Sequence, residues 1–187
     1  MAKRLDQVLV IDVESTCWDE PTPMGQVSEI IEVGLCVVDL ASLERREKRS
    51  LMVRPQRSEI GPFCRQLTSI TPEMVAHAPV LEEVCEILKN EYHSHGRLFA
   101  SWGDYDRGQF QRNCHLYGLG YPFGPTHLNV KNLFATALGL PRETGLDAAF
   151  EKMGLPLEGV HHRGVDDAGN IALLFCLLMK RIRRAGL

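Results

Sequence analysis

The stretch VLVIDVE (residues 8–14) decides the fold, because it sets two carboxylates inside a run of β-branched and aliphatic residues. Such a run predicts a short central strand. Asp12 and Glu14 are two positions apart, so both side chains leave the same face of the sheet. Buried unpaired charges are costly and raise each other's pKa, so a cation between them is the economical explanation. The alternative is that Glu14 lies past the strand end, in solvent.

The segments that follow predict an α/β fold with a mixed sheet, not a purely parallel doubly wound one. An apolar run predicts a second strand and an alternating segment predicts a third, and three early strands indicate a meander. The later segments alternate between helix and strand. The predicted strands span 29–40, 48–55, 97–102 and 126–132 (the last running into a helix), and the predicted helices span 71–94, 106–120, 144–155 and 165–184.

Length and composition are those of one globular domain covering residues 1–187. A chain of 187 residues is expected to bury roughly 70% of its unfolded surface. No apolar run approaches the ~18 residues that a membrane span needs, so we expect no membrane partner. The six cysteines are scattered without a CxxC pair, which favours reduced thiols and a cytoplasmic location.

The formal net charge of −3 argues against tight binding of a nucleic-acid duplex. It does not argue against an enzyme whose carboxylates hold divalent cations, because the bound ions reverse the charge that a phosphate meets. Basic residues cluster near 45–49 and 180–184. A solvated face or helix end is the favoured interpretation of both clusters.

Two further acidic pairs lie at predicted helix starts. SWGDYD contains Asp104 and Asp106, and HHRGVDDAGN contains Asp166 and Asp167 after two histidines. Helix capping and the helix dipole explain one aspartate of each pair. The other aspartate of each pair is a candidate metal ligand, and a histidine is a candidate general base. Oxygen ligands without a Cys/His cluster favour Mg²⁺ or Mn²⁺ over zinc.

In these segments the chain resembles the DEDDh exonucleases of the DnaQ-like, ribonuclease-H-type superfamily, and most of all the Eri-type and KapD-like branch that includes the histone-mRNA 3′ exonuclease. The resemblance implies a stand-alone catalytic domain. Its central five-stranded mixed sheet would have a three-stranded antiparallel meander and two parallel strands, flanked by helices. The segments that carry the resemblance are VIDVESTC, EIIEVG, VRP, FCRQLTSIT, SWGDYD and HHRGVDDAGNIA.

The resemblance selects one residue from each open pair. It implies that Asp12, Glu14, Asp106 and Asp167 hold two Mg²⁺ or Mn²⁺ ions and that His162 is the general base. One ion would lower the pKa of the attacking water and the other would stabilise the departing 3′ oxygen. A histidine suits proton transfer because its pKa of about 6.5 lies near working pH. The implied products are nucleoside 5′-monophosphates.

Residues near the predicted carboxylates are candidates for substrate binding. Ser15, Thr16 and Cys17 follow the metal strand and resemble the family's pocket for the terminal nucleotide, although loop packing explains them equally well. Leu67 belongs to a segment that in the family often lies near substrate. Trp102 would stack on a base or belong to the core.

These features predict a 3′→5′ exonuclease acting on the 3′ end of a single strand, and the Eri-type segments favour RNA. A DEDDh exonuclease acting on DNA would carry identical catalytic residues. A nucleic-acid-binding module on the same fold would lack a ligand or the base. A small-molecule phosphohydrolase would use the same carboxylates in a closed pocket.

Overall fold

A five-stranded sheet forms the centre of the computed structural model, which describes residues 4–185. Its strands are β1 (Arg4–Ser15), β2 (Ile30–Asp39), β3 (Glu44–Met52), β4 (Arg97–Ser101) and β5 (His127–Asn129). Their order in space is β3-β2-β1-β4-β5. The first three pair antiparallel, β4 pairs parallel with β1, and β5 pairs parallel with β4. The predicted meander with two added parallel strands is therefore confirmed.

Helices flank this sheet, as the α/β pattern predicts. The last and longest begins at Gly164, one residue before its predicted start. The helices of the described chain are α1 (Pro62–Thr68), α2 (Pro72–Val75), α3 (Leu81–Asn90), α4 (Tyr105–Tyr117), α5 (Val130–Ala137), α6 (Leu146–Met153) and α7 (Gly164–Arg184).

Alternate side chains of β1 enter two different cores, so both faces of the sheet are covered. Ile11 and Val13 pack in the cluster that contains residues of α3 and α4. Val8 and Val10 pack on the opposite face, in the cluster that contains residues of α5, α6 and α7. Because side chains alternate along a strand, the two carboxylates of β1 share the face that α7 covers.

The single helix predicted over 71–94 is wrong. The structure has two helices there, α2 and α3, with Pro79 between them. Proline lacks a backbone N–H and disfavours helical geometry in the residue before it, so the helix cannot run through. Helix α1 was not predicted. It begins at Pro62, and proline is suited to this position because the N–H of the first helical residue makes no hydrogen bond within the helix.

The basic run on β3 is engaged in ion pairs on the protein surface. Its side chains remain partly exposed, so each pair contributes little stability. The pairs are Arg45 with Glu158, Arg46 with Glu44 and Asp39, Lys48 with Asp166, and Arg49 with Glu91. The interpretation of this run as a solvated face is confirmed. Between residues 4 and 185, no helix has both the length and the apolar character needed to cross a membrane.

Candidate active site

Asp12, Glu14, Asp106 and Asp167 line one cavity of about 400 Å³. One carboxylate oxygen from each of Asp12, Glu14 and Asp167 lies within 4.8 Å of the other two. Glu14 is only 9% exposed, which excludes the alternative that it lies in solvent past the strand end. The structure thus brings together the four carboxylates that the sequence places in three separate segments.

Asp106, not Asp104, faces the cluster. The Asp106 side chain is buried, and its Oδ1 accepts a 2.9 Å hydrogen bond from the backbone N–H of Val13, between the two carboxylates of β1. Asp104 precedes α4 and its side chain is 70% exposed. It accepts a hydrogen bond from Asn129 on the outside of the sheet. The choice that the resemblance implied agrees with this geometry.

The start of α7 lies directly against the sheet because two glycines meet there. A Cβ added to Gly34 on β2 would lie 1.9 Å from the carbonyl carbon and oxygen of Gly164. The fully buried Glu32 secures the contact, since its Oε2 accepts hydrogen bonds from the Gly164 N–H and the Arg163 side chain. This close approach brings Asp167, in the first turn of α7, next to the carboxylates of β1.

The two neighbouring aspartates of α7 have different tasks. Asp166 accepts a hydrogen bond from the Val160 N–H and pairs with Lys48 at 2.6 Å, so it anchors the loop that precedes the helix. Asp167 is buried, and its Oδ2 accepts a 2.9 Å hydrogen bond from the His162 N–H. Only the second aspartate is therefore directed into the cluster.

The histidine pair stands at the mouth of the cavity. His162 has a left-handed backbone, with φ of 62°, which costs energy for a residue other than glycine. Its ring stacks on that of His161 with centroids 4.0 Å apart. The His161 Nδ1 lies 3.1 Å from Asp167. Burial, and then the neighbouring His161, lower the pKa of His162, which leaves its imidazole neutral and able to accept a proton near pH 7.

Burial is the largest cause that raises the pKa of three of these carboxylates, those of Asp12, Glu14 and Asp106. For Asp12, burial is the largest cause, followed by repulsion from Asp106 and Glu14, and its pKa lies well above the usual value. Burial, with repulsion from Asp167, raises the pKa of Glu14 to about 9. Burial also raises the pKa of Asp106 to about 6, although its hydrogen bond from the backbone opposes the rise. Protons or cations are needed to offset this concentration of buried negative charge.

A divalent cation fits this set of residues. In the described part of the chain, no lysine or arginine forms an ion pair with Asp12, Glu14 or Asp106. The donors are hard carboxylate oxygens, which suit magnesium or manganese better than zinc. Three of them converge on one point, as a cation site requires. Exonucleases of this kind are metal-dependent.

The predicted loop contacts divide into two groups. Ser15 and Cys17 line the cavity, and the Ser15 hydroxyl is buried with no hydrogen-bond partner among the described residues. Thr16 is fully buried, and its hydroxyl donates to the Val27 carbonyl and accepts from the Glu29 N–H. The Thr16 side chain therefore fastens the loop, and its predicted substrate contact stays a prediction.

Leu67 and Trp102 both line the cavity, but they differ in how far their side chains are packed. Their predicted substrate contact stays a prediction. The exposed fraction of Leu67 is 38%. The Trp102 ring packs against Phe134, and its Nε1 donates to the Thr144 carbonyl, so much of this side chain belongs to the core. The interpretation of Trp102 as a core residue is thus largely correct.

Six lining residues were not among the predicted site residues: Val13, Tyr105, Gly145, Leu146, Asp147 and His161. Tyr105 is 55% exposed. Its position next to the candidate ligand Asp106 was the signal in the sequence that could have indicated a place in the site. His161 is the neighbouring histidine that the resemblance does not select as the base. Asp147 comes from the start of α6, and nothing in the local sequence indicates that this helix reaches the site.

Comparisons with known proteins identify the family of the chain. The family model of exonucleases, RNase_T, matches residues 9–175. The 3′-5′ exoribonuclease 1 of Rattus norvegicus is 32% identical over 177 residues, covering 89% of this chain and 51% of the relative. The chain spans about half the length of the curated relatives it matches.

Solved structures give the same result. The nuclease domain of 3′hExo, a DEDDh family member bound to rAMP, has a TM-score of 0.84 and 27% identity, covering 97% of this chain and 95% of that one. A 3′-exonuclease solved in a study of 3′-end specific recognition of histone mRNA stem-loop has a TM-score of 0.83 and 27% identity. That match covers 96% of this chain and 65% of the other. Since the family model spans most of the sequence, the chain belongs to the exonuclease family RNase_T and is homologous to the 3′-5′ exoribonucleases of the ERI1 type.

Proposed function

We propose that residues 1–187 act as a single 3′→5′ exonuclease domain that hydrolyses single-stranded RNA to nucleoside 5′-monophosphates. The observation that carries the proposal is the convergence of Asp12, Glu14, Asp106 and Asp167 in one cavity with His162 at its mouth. Among the described residues, no lysine or arginine forms an ion pair with Asp12, Glu14 or Asp106. Exposed side chains line part of the cavity, which makes it an open cleft. An open cleft suits a polymer end better than a small phosphate ester.

The four carboxylates would hold two Mg²⁺ or Mn²⁺ ions. When bound, the ions would lower the pKa of the attacking water and stabilise the negative charge of the departing 3′ oxygen. His162 would accept the proton of that water, a task for which its lowered pKa keeps it deprotonated at neutral pH. Attack on phosphorus breaks the bond to the 3′ oxygen, and the terminal nucleotide leaves with its 5′-phosphate.

The apolar wall of the cleft would hold the terminal base. Leu67 and Tyr105 are both exposed large side chains that line the cavity. Stacking of a base on an aromatic ring contributes about 1–3 kcal/mol and tolerates any base. Tyr105 is better placed for this than Trp102, whose ring is occupied by core packing. The unpartnered Ser15 hydroxyl is available to bind a polar group of the nucleotide.

RNA is the favoured substrate because named relatives are exoribonucleases and because one similar structure concerns a histone mRNA stem-loop. A DNA exonuclease remains the second candidate, since the carboxylates and the base would be the same. The 2′-hydroxyl of the terminal nucleotide is the group that distinguishes the two substrates.

The test is degradation of 5′-labelled single-stranded RNA and of a DNA of the same sequence, with Mn²⁺ or Mg²⁺. We expect a 3′→5′ ladder, faster on RNA, that EDTA, Asp12→Ala and His162→Ala abolish or slow by orders of magnitude. His115→Ala is the matched control, because His115 is exposed on α4 and does not line the cavity. Absence of cleavage by folded protein that binds Mn²⁺ would refute the proposal, and faster cleavage of DNA would favour the second candidate.

A further inference from the structure

The histidine loop, residues 158–162, is held in place by contacts from other elements. It contains neither helix nor strand, and all five of its residues are exposed. His162 nevertheless keeps a left-handed backbone, with φ of 62°. A residue other than glycine stays in such a conformation only where its surroundings fix it. Because none of the five side chains belongs to the core, hydrogen bonds from neighbouring elements must fix the loop.

Three side chains of α7 hold the histidine loop by every second backbone N–H. Positions three and four apart lie on one face of a helix, so Asn170 follows on the face where the two aspartates of the first turn lie. The acceptors and their N–H donors are Asn170 with Glu158, Asp166 with Val160, and Asp167 with His162, at 3.0, 3.0 and 2.9 Å. The loop therefore lies along the first two turns of α7.

Asn170 binds the loop in both directions. Its Oδ1 accepts from the Glu158 N–H, and its Nδ2 donates to the Glu158 carbonyl, also at 3.0 Å. The Asn170 side chain is buried, with 1% exposed, and it does not line the cavity. Asn170 is therefore neither a candidate cation ligand nor a substrate contact, and the partner of its amide is the loop.

Arg45 of β3 holds the same residue of the loop from the sheet. Its Nη1 and Nη2 donate to the two carboxylate oxygens of Glu158, at 2.7 and 2.9 Å. Nη1 also donates to the Gly169 carbonyl at 3.2 Å, so one side chain joins the sheet, the loop and α7. A two-bond contact between arginine and a carboxylate fixes orientation as well as distance. Both partners are partly exposed, so the contact adds little to stability.

We propose that Asn170 and Arg45 are positioning residues for His162. They fix the first residue of the histidine loop, while Asp167 fixes the last. Neither Asn170 nor Arg45 lines the cavity, so both act through the backbone of the loop. The inference rests on the proposed function, since it takes His162 to be the general base. Displacement of a catalytic group by about 1 Å can reduce a rate on the order of 100-fold, so a released loop should slow hydrolysis.

The first measurement is amide hydrogen exchange of the unmodified full chain. The N–H groups of Glu158, Val160 and His162 should exchange slowly, because side chains of α7 accept their hydrogen bonds. Those of Gly159 and His161 make no hydrogen bond within residues 4–185 and should exchange fast. Equal exchange along the whole loop would overturn the inference, and this result needs no variant.

Two variants then test the link to the base. Asn170→Ala removes both hydrogen bonds to the loop, and Arg45→Met removes the charge but keeps an unbranched side chain. With single-stranded RNA and Mn²⁺, kcat should fall on the order of 10- to 100-fold in Asn170→Ala. It should fall about two- to fivefold in Arg45→Met, whose ion pair is partly exposed. KM and Mn²⁺ affinity should stay unchanged, because neither side chain lines the cavity.

The same substitutions are also made in the His162→Ala protein. There, neither Asn170→Ala nor Arg45→Met should lower the rate further, because residues that act as a unit lose their effect once one of them is gone. A general loss of stability would instead lower the rate equally with and without His162.

Matched controls come from the same residue types. Asn113 is 2% exposed, and its side chain also bonds the backbone in both directions, at the Ile30 N–H and the Ser28 carbonyl. Asn113→Ala should lose stability but keep the slow exchange of the loop. Arg49, also on β3, forms a 2.6 Å ion pair with Glu91, just after α3. Arg49→Met should keep both kcat and the exchange of the loop unchanged.

Unchanged kcat in both folded variants, or equal losses with and without His162, would overturn the inference. Faster exchange of the loop in Asn113→Ala would also overturn it, because the effect would then reflect general stability. If Asn170→Ala does not fold, Arg45→Met and the exchange pattern of the unmodified protein decide. Protein that shows this exchange pattern but degrades no RNA would refute the proposed function and leave the attachment of the loop to α7 intact.

Discussion

Replacing Gly34 with alanine should displace the start of α7. The added Cβ would lie 1.9 Å from the Gly164 carbonyl, and a real Cβ needs at least 3.0 Å, so one backbone must move by about 1.1 Å. Gly34 pairs with Asp12 on one side and with Ser50 on the other, in the middle of the meander, so the sheet resists the movement. The helix must therefore move, and it carries Asp167 with it.

Two losses should follow from this movement. Overpacking of this kind typically lowers the free energy of unfolding by about 1–3 kcal/mol. A displacement of about 1 Å in a catalytic arrangement can reduce the rate on the order of 100-fold. We expect both losses in the Gly34→Ala variant. Most of the variant should remain folded at 25 °C, so unfolding would not account for its loss of activity.

Two assays test this prediction. Urea denaturation measures the free energy of unfolding, and the initial rate of Mn²⁺-dependent RNA degradation measures the activity of the folded protein. Gly61→Ala is the matched control, because a Cβ there meets no atom within 4 Å and its φ of −74° suits any residue. The control should keep full activity and gain up to about 1 kcal/mol from the stiffer unfolded chain. A Gly34→Ala protein with unchanged stability and rate, or an equal loss in Gly61→Ala, would show that the contact does not position the site.

Four further predictions concern charge. Glu14 has a pKa of about 9 in the folded protein and an ordinary value of 4.5 in the unfolded chain. Between these pH values the unfolded chain loses its proton first, so stability falls as pH rises. The melting temperature of metal-free protein should therefore decrease from pH 5 to 9. Asp12→Asn should raise that melting temperature at pH 8 by relieving repulsion, and abolish the stabilisation by Mn²⁺. The degradation rate should fall on the acid side as His162 gains its proton below pH 6.5, and His162→Ala should lower the rate by about 10²–10⁴-fold and remove that limb. Lys48→Met should cost at most about 1 kcal/mol yet speed amide hydrogen exchange in the loop that Asp166 anchors.

The apolar runs of β1, β2 and β4 made these strands predictable, because such runs are a local property of the sequence. The third strand was predicted at 48–55, whereas the charged β3 spans Glu44–Met52. The prediction failed between residues 71 and 94, where the apolar spacing continued through Pro79 and concealed a break. The short α1 also lay outside the prediction, since a helix of seven residues leaves little periodic signal. Pro79 is a local signal for a break, but the helical spacing of the apolar residues around it favoured a single helix in the prediction.

The spacing of residues left the site open where two nearby aspartates have different roles. Spacing alone left Asp104 and Asp106 open, and the structure separates them by burial, which depends on the Val13 N–H of another element. Asp166 and Asp167 differ in the same way, because Lys48 reaches one of them from β3. Contacts between distant segments make these choices, so no single segment could have settled them.

The charge of the chain makes the cation central to the proposed reaction. The basic run on β3 is paired with acids, so it adds little attraction for a phosphate backbone. The cavity itself is lined by carboxylates and would repel a phosphate when no cation is bound. Bound divalent ions would reverse that local charge, while Tyr105 and Leu67 offer apolar surface to a base whatever its identity. Substrate binding and hydrolysis would then depend on the same ions, and a chain of net charge −3 would need no broad basic surface to act on the end of a single strand.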